Sequence, residues 1–376
     1  MEPINVFAPT FRIEETLGEI RECLEKGWTG LGFKTIAFEK AWNDYTALPH
    51  SHFVASATAG LHLAVRLLKD HHGWNDGDEI ITTPLTFVST NHAILYERLR
   101  PVFADVDESL CLDPASVESR ITDKTRAVMF VGMGGSTGQL RQIAELCHRR
   151  GLTLILDAAH MAGTHWKSGA HVGREAAATI FSFHAVKNLP TADGGMVCMN
   201  SAELDEAARK LSWMGINKDT FARTGPSGSY KWKYDVETVG FKYHGNSIMA
   251  SIGLVALKYL DQDNAYRRQL AAWYDARLNG VGHVQIVRVP DDCEPSRHLY
   301  QIQSDRRDEL LAALAAAQIF CGVHYEDNTR YRMYAYGAGT CPNAARASDR
   351  LISLPMSLRI GEHDADRICS VIADFR

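Results

Sequence analysis

Several features that would assign a chain to a special environment are missing from these 376 residues. No apolar run approaches the roughly 20 residues a membrane-spanning helix requires. The opening Met1-Glu2-Pro3-Ile4-Asn5 lacks the basic-then-apolar layout of a secretory signal. Positive charge is not in excess: the net charge is −5, which leaves no basic footprint for nucleic acid and no basic amphipathic face for a membrane surface. The eight cysteines are scattered without a Cys-x-x-Cys pair, a usage expected of reduced thiols in the cytoplasm. No repeat, low-complexity tract or proline-rich linker interrupts the chain. What remains is an ordinary folded protein, long enough for one large domain and a smaller one.

The pattern over the first 200 residues alternates short apolar runs with helical ones. Helices are expected at Ile13 to Lys26, Phe33 to Tyr45, Thr58 to Lys69, Phe87 to Leu95 and Leu140 to Arg149. Strands are expected at Phe53 to Ala55, Ile80-Ile81, Val102-Phe103, Ala127 to Val131, Leu152 to Leu156, Thr179 to Phe183 and Met196 to Met199. Strands this apolar, alternating with helices, predict an α/β architecture: a large, mostly parallel mixed sheet flanked by helices. After Ser201 a helix to Met214, a polar aromatic loop from Asn217 to Lys242, and two helices near Ile248 to Leu260 and Ala265 to Leu278 lead into a mixed tail. This divides the chain into a large domain, 1–255, and a small α+β C-terminal domain, 256–376.

Candidate chemistry gathers at the strand ends. Asp157 closes the strand Leu152 to Leu156, so it projects from the carboxyl edge of the sheet, where open α/β sheets bind ligands. Lys187 follows another strand and precedes Gly194-Gly195. Ser56-Ala57-Thr58-Ala59-Gly60 joins a strand to a helix start, which suits a phosphate, and Phe87 opens a further helix on the same edge. These are the parts pyridoxal-phosphate chemistry demands: a lysine to hold the cofactor as a Schiff base and move a proton, a carboxylate for the pyridine nitrogen, donors for the phosphate and a ring to cover the pyridine. Each residue also has a plainer reading. Lys187 suits a solvated loop, Asp157 a helix cap, Ser56 and Thr58 simple N-caps, and Phe87 the core.

Taken together, these segments resemble the DegT/DnrJ/EryC1/StrS sugar aminotransferases, a branch of the aspartate-aminotransferase fold. Ala55 to Leu61 is similar to the family's phosphate turn, implying cofactor contacts at Ala57, Thr58 and Ala59. Gly77 to Thr90 resembles the segment whose aromatic, here Phe87, stacks on the cofactor. Leu156-Asp157-Ala158-Ala159-His160 resembles E-D-A-A-[QH], which implies Asp157 at the pyridine nitrogen and His160 near the phenolic oxygen. Phe181 to Gly195 resembles F-S-F-H-x-x-K-N-x-T-x-x-E-G-G, implying Lys187 as the covalent carrier and Ser182 on the phosphate. Gly240-Phe241-Lys242-Tyr243 resembles a loop that crosses a dimer interface to the partner's phosphate, implying a role for Lys242 and a homodimer with shared active sites. Pro342-Asn343-Ala344 and Leu351 to Pro355 echo the family's C-terminal domain.

The resemblance implies a fold type I transferase that cycles between pyridoxal 5'-phosphate and pyridoxamine 5'-phosphate. It would move an amino group from a donor such as glutamate onto a keto sugar, most simply a nucleotide-diphosphate keto-deoxysugar. A cyclitol ketone or a small phosphorylated ketone is the alternative acceptor. Some relatives carry histidine at the lysine position and act as dehydratases, so Lys187 favours transamination. His184, His324 and Tyr325 are candidates to face substrate, with packing as the other role for His184. No metal is implied.

Departures from the family pattern cluster around the substrate. Val131-Gly132-Met133-Gly134-Gly135 stands for V-H-x-Y-G, which predicts a more open pocket wall. Leu211 to Gly215 lacks the usual Arg and His, Gly245-Asn246-Ser247 interrupts a stretch that usually carries an acid, and Asp193 replaces Glu. One rival reading treats Gly132 to Gly138 as a dinucleotide loop with Asp157 as its ribose-binding acid, making an NAD-dependent oxidoreductase. In that register the third glycine falls at Thr137, and Lys187 stays unexplained.

Overall fold

A computed structural model describes residues 2–217, 221 and 233–375. Most of the loop expected between Asn217 and Lys242 lies outside them. The main sheet has seven strands in the order His50–Val54, Gly195–Met199, Ala178–Ser182, Thr153–Asp157, Thr125–Val131, Glu79–Thr82 and Arg100–Phe103. Gly195–Met199 pairs antiparallel with both neighbours; every other pairing is parallel. This is the mostly parallel mixed sheet that the apolar runs predict.

Period-2 alternation sends successive side chains to opposite faces. Val128, Phe130, Leu154, Leu156 and Phe181 join one apolar core, while Ala127, Met129, Ile155 and Ile180 join the other. Both faces are therefore covered, and such strands need apolar residues at every position. The Ala57–His72 helix carries Leu61, Ala64, Val65 and Leu68 into the second core and starts at an N-cap where Ser56 Oγ accepts from Ala59 N at 3.1 Å.

A third core lies beyond the large sheet. Leu270, Tyr274, Tyr300, Ile302, Leu310, Ile352 and Ile368 pack around a three-stranded antiparallel sheet of Gln285–Ile286, Tyr300–Gln303 and Leu351–Leu354. The first residues of the chain join it, because Ile4–Asn5 pairs in parallel with Ile319–Phe320. That contact spans most of the sequence and leaves no local signal.

The two helices expected between residues 248 and 278 are one continuous helix, Ser247–Leu278. The polar run Asp261 to Asn264 looks like a break in sequence. In the structure three of its four side chains find partners outside the helix: Tyr45 Oη donates to Asp261 Oδ1 at 2.6 Å, Arg12 Nη2 to Asp263 Oδ1 at 2.7 Å, and Asn264 Nδ2 to the Ala162 carbonyl at 3.0 Å. Residues 255 and 256 fall within this helix, which adds Ala250 and Leu260 to the first core and Leu270 to Leu278 to the third.

Candidate active site

The carboxyl ends of the parallel strands open into a cavity of about 400 Å³, within the usual range for a small-molecule site. Asp157, Ser182 and Lys187 line it from the strand ends, with Ala57 and Thr58 from the first turn of the Ala57–His72 helix. Ala59 N and Gly60 N bond back to Ser56. The Ala57 and Thr58 N–H groups precede the helix's own hydrogen-bond ladder and could receive an anion with the positive end of the helix dipole behind them. A Cβ on Gly195 would sit 2.7 Å from Ala57 N, so only glycine lets the neighbouring strand approach this turn.

Asp157 is buried, with Oδ2 accepting from Thr90 Oγ1 at 2.7 Å and Oδ1 from Ala159 N at 3.1 Å. Burial pushes its carboxyl above the ordinary aspartate range, opposed by those two donors and by the Lys187 charge. Desolvation brings the Lys187 amine down to about 8, with Asp157 working against it. The two shifts agree in sense: each group is held toward its neutral form until a charged partner arrives.

Phe87 lines the cavity with 55% of its surface exposed, so it is not the core residue that its plainer reading allows. An apolar ring left open beside a buried acid and an amine suits the face of a planar ligand. His160 is buried; its Nδ1 accepts from Gly134 N at 3.2 Å, which leaves the proton on Nε2 to donate to Tyr325 Oη at 3.1 Å. Tyr325 keeps its own hydroxyl hydrogen for the cavity. His324 also lines the cavity, its Nδ1 2.9 Å from Ser353 Oγ, and desolvation followed by the Lys187 charge takes it down to about 4. His184 is exposed at the rim.

Ala59 and Lys242 lie off this cavity. Ala59 is buried and serves the N-cap. Lys242 is exposed, with its ammonium 3.3 Å from the centroid of the Trp213 ring. Trp213 stands between Ser212 and Met214, the two positions at which this segment departs from the family pattern.

The wall is not more open at Gly132, whereas at Gly134, the other position where a side chain is missing, a Cβ would meet nothing nearer than Leu299 Cβ at 3.4 Å. A Cβ on Gly132 would meet Met161 Sδ at 2.1 Å, and one on Gly135 would meet Ser296 Oγ at 2.1 Å. Met161 fills the space that the side chain missing at Gly132 leaves. The next helix begins only at Leu140, too far on for a dinucleotide loop whose glycines must adjoin a helix N-terminus.

Three site residues were given no role in the motif reading. Thr90 had a signal, since it stands three positions after Phe87 on the Val88–Tyr96 helix and so shares its face. Asn188 adjoins Lys187 but its partners are remote. His298 arrives from residues more than a hundred positions away and shows nothing local.

The model of the DegT/DnrJ/EryC1/StrS aminotransferase family matches residues 11–373. The chain is 34% identical to the spore coat polysaccharide biosynthesis protein SpsC of Bacillus subtilis, over 96% of this chain and 94% of the relative. Among solved structures it is similar to PseC of Helicobacter pylori, an aminotransferase involved in pseudoaminic acid biosynthesis, at TM-score 0.89 and 26% identity over 99% of this chain and 98% of the other. It is equally similar to Spr1654 of Streptococcus pneumoniae, solved in PLP and PMP forms, at TM-score 0.89 and 26% identity over 98% or more of each chain. The helix N-terminus, the buried carboxylate, the amine and the open ring fit pyridoxal 5'-phosphate, and the chain belongs to the DegT/DnrJ/EryC1/StrS family of PLP-dependent aminotransferases.

Proposed function

We propose that the protein transfers an amino group from glutamate to a keto sugar, most simply a nucleotide-diphosphate keto-deoxysugar. The observation that carries the reading is the convergence of Lys187 and Asp157 in one cavity with a phosphate-ready helix start. The roles of SpsC and PseC in carbohydrate biosynthesis support the acceptor class.

When bound, the cofactor supplies an electron sink for the pair left by a broken C–H bond. Asp157 would hold the ring nitrogen through a charge-assisted hydrogen bond. The Ala57 and Thr58 N–H groups and the Ser182 hydroxyl would hold the phosphate, Phe87 the ring face, and His160 with Tyr325 the phenolic oxygen. Lys187 moves a proton to and from the donor's α-carbon, a task suited to an amine brought near neutral pH. His298 and Phe7 line the same cavity beside that amine.

Lys187 is the one Lys or Arg among the described lining residues, against Asp157 and Asp193. The phosphate, the carboxylates of glutamate and a diphosphate need more positive charge than this. Lys242, turned outward on Trp213, supports a homodimer in which each copy completes the other's cavity. We further propose a division into 1–255 and 256–376, and a cytoplasmic setting supported by eight unpaired cysteines, seven of them buried.

The test loads the protein with pyridoxal 5'-phosphate, adds glutamate and follows the loss of violet absorbance. Keto sugars, cyclitol ketones and phosphorylated ketones are then screened for restoring it. Restoration by a nucleotide keto sugar is expected. Restoration only by one of the other ketone classes would replace the acceptor, and no response to glutamate would overturn the donor.

A further inference from the structure

Lys187 has a neighbour that the mechanism above leaves without a chemical role. Its Nζ lies 3.4 Å from Nε2 of His298. The His298 ring is buried and stacks on Phe7 at an interplanar angle of 5°. An imidazole nitrogen accepts from an amine only where it carries no proton, so the tautomer decides what this contact does.

Two buried asparagines settle the tautomer. Asn264 Nδ2 donates to the carbonyl of Ala162 at 3.0 Å. A carbonyl only accepts, so Asn264 Oδ1 faces the other way, where Arg267 Nη1 also donates to it at 3.4 Å. That oxygen accepts from Asn188 Nδ2 at 2.7 Å, and Asn188 Nδ2 also donates to the carbonyl of Ser296 at 2.7 Å. Both hydrogens of the Asn188 amide are thereby committed. Asn188 Oδ1, 3.1 Å from His298 Nδ1, must accept from it. His298 therefore carries its proton on Nδ1 and turns a bare Nε2 toward Lys187.

We propose that His298, held in this tautomer by Asn188 and Asn264, is a positioning residue that accepts a hydrogen bond from the Lys187 amine and aims it. The proposal rests on the reading of Lys187 as the amine that moves the proton. The groups facing the pair are Asp157 and His160 from the strand end, His324 and Tyr325 from the small layer, and Arg267 from the long helix. Burial, with Lys187 and these histidines alongside, keeps His298 well below an ordinary histidine. It stays neutral and does not compete for the proton Lys187 must carry. The 3.4 Å separation is long, and such contacts tighten in working complexes.

Long-range proton–nitrogen spectra of histidine-labelled holoenzyme, with His298 assigned through His298→Gln, report the tautomer directly. A bare Nε2 and protonated Nδ1 from about pH 6 to 8 are expected; protonated Nε2 overturns the proposal. In kinetics, His298→Phe should slow the glutamate half-reaction about 10²-fold with KM changed less than about 2-fold. It should also raise the isotope effect with Cα-deuterated glutamate. His298→Gln, whose amide oxygen can replace Nε2, should stay within about 10-fold of wild type. A Phe variant that matches wild type in rate and isotope effect overturns the proposal, and if that variant does not fold the wild-type spectra decide. Turnover that survives Lys187→Ala would sink the functional reading itself, a result distinct from either.

Discussion

Asp157, Ser182 and Lys187 reach the cavity from strand ends of the large sheet, whereas His298, His324 and Tyr325 reach it from segments of the small layer. The first wall is set by local chain geometry: a strand ends, and the next residues must face the carboxyl edge. The second wall is set by how two layers dock. A short motif can encode the first. The second needs the whole fold, down to Ile4 pairing with Ile319.

If this contrast is sound, the strand-end wall should carry the chemistry and the docked wall its aim. Lys187→Ala should lower kcat by about 10⁴-fold, the upper end for a removed proton carrier, measured with glutamate and the best acceptor. Asp157→Asn keeps the shape but loses the charge, and should cost about 10²–10³-fold in kcat. Gly135→Ala strains the seam between the walls, where φ is +92° and a Cβ would meet Ser296. A lower urea midpoint is expected, worth about 1–3 kcal/mol. Tyr325→Phe removes one hydroxyl from the docked wall and should cost about 10-fold; a loss as large as that of Asp157→Asn would erase the distinction between the walls.

The smallest effect is on stability. Lys187 titrates at about 8 when folded, against 10.5 when free. The unfolded chain therefore binds more protons between those values, and burying the lysine costs most below pH 8. Cofactor-free Lys187→Met should exceed wild type in urea stability at pH 7, with the difference shrinking as the pH rises toward 10.5. A difference that grows over that range would contradict the folded-state value.

Much of the large sheet was legible because its strands are apolar at successive positions and its helices show one apolar face. The Asp157 and Lys187 segments were legible for the same reason, each standing directly after a strand. Other features were hidden for identifiable causes. Asp261 to Asn264 reads as a break because polar residues in mid-helix usually mark one; their partners Tyr45, Arg12 and Ala162 come from elsewhere in the chain. The glycines at 132 and 134 predicted an open wall because the sequence shows which side chains are missing, not that Met161 occupies the space beside Gly132. His298 lay beyond reach because its role depends on Asn188 and Asn264, residues far apart in the chain that meet only in the fold.

The most direct test of the central claim is the visible spectrum of the protein loaded with pyridoxal 5'-phosphate, recorded beside that of Lys187→Ala. The account predicts a violet band in the wild type that glutamate bleaches, and no such covalent band in the variant. A variant that keeps the band and its response to glutamate would show that another residue carries the cofactor.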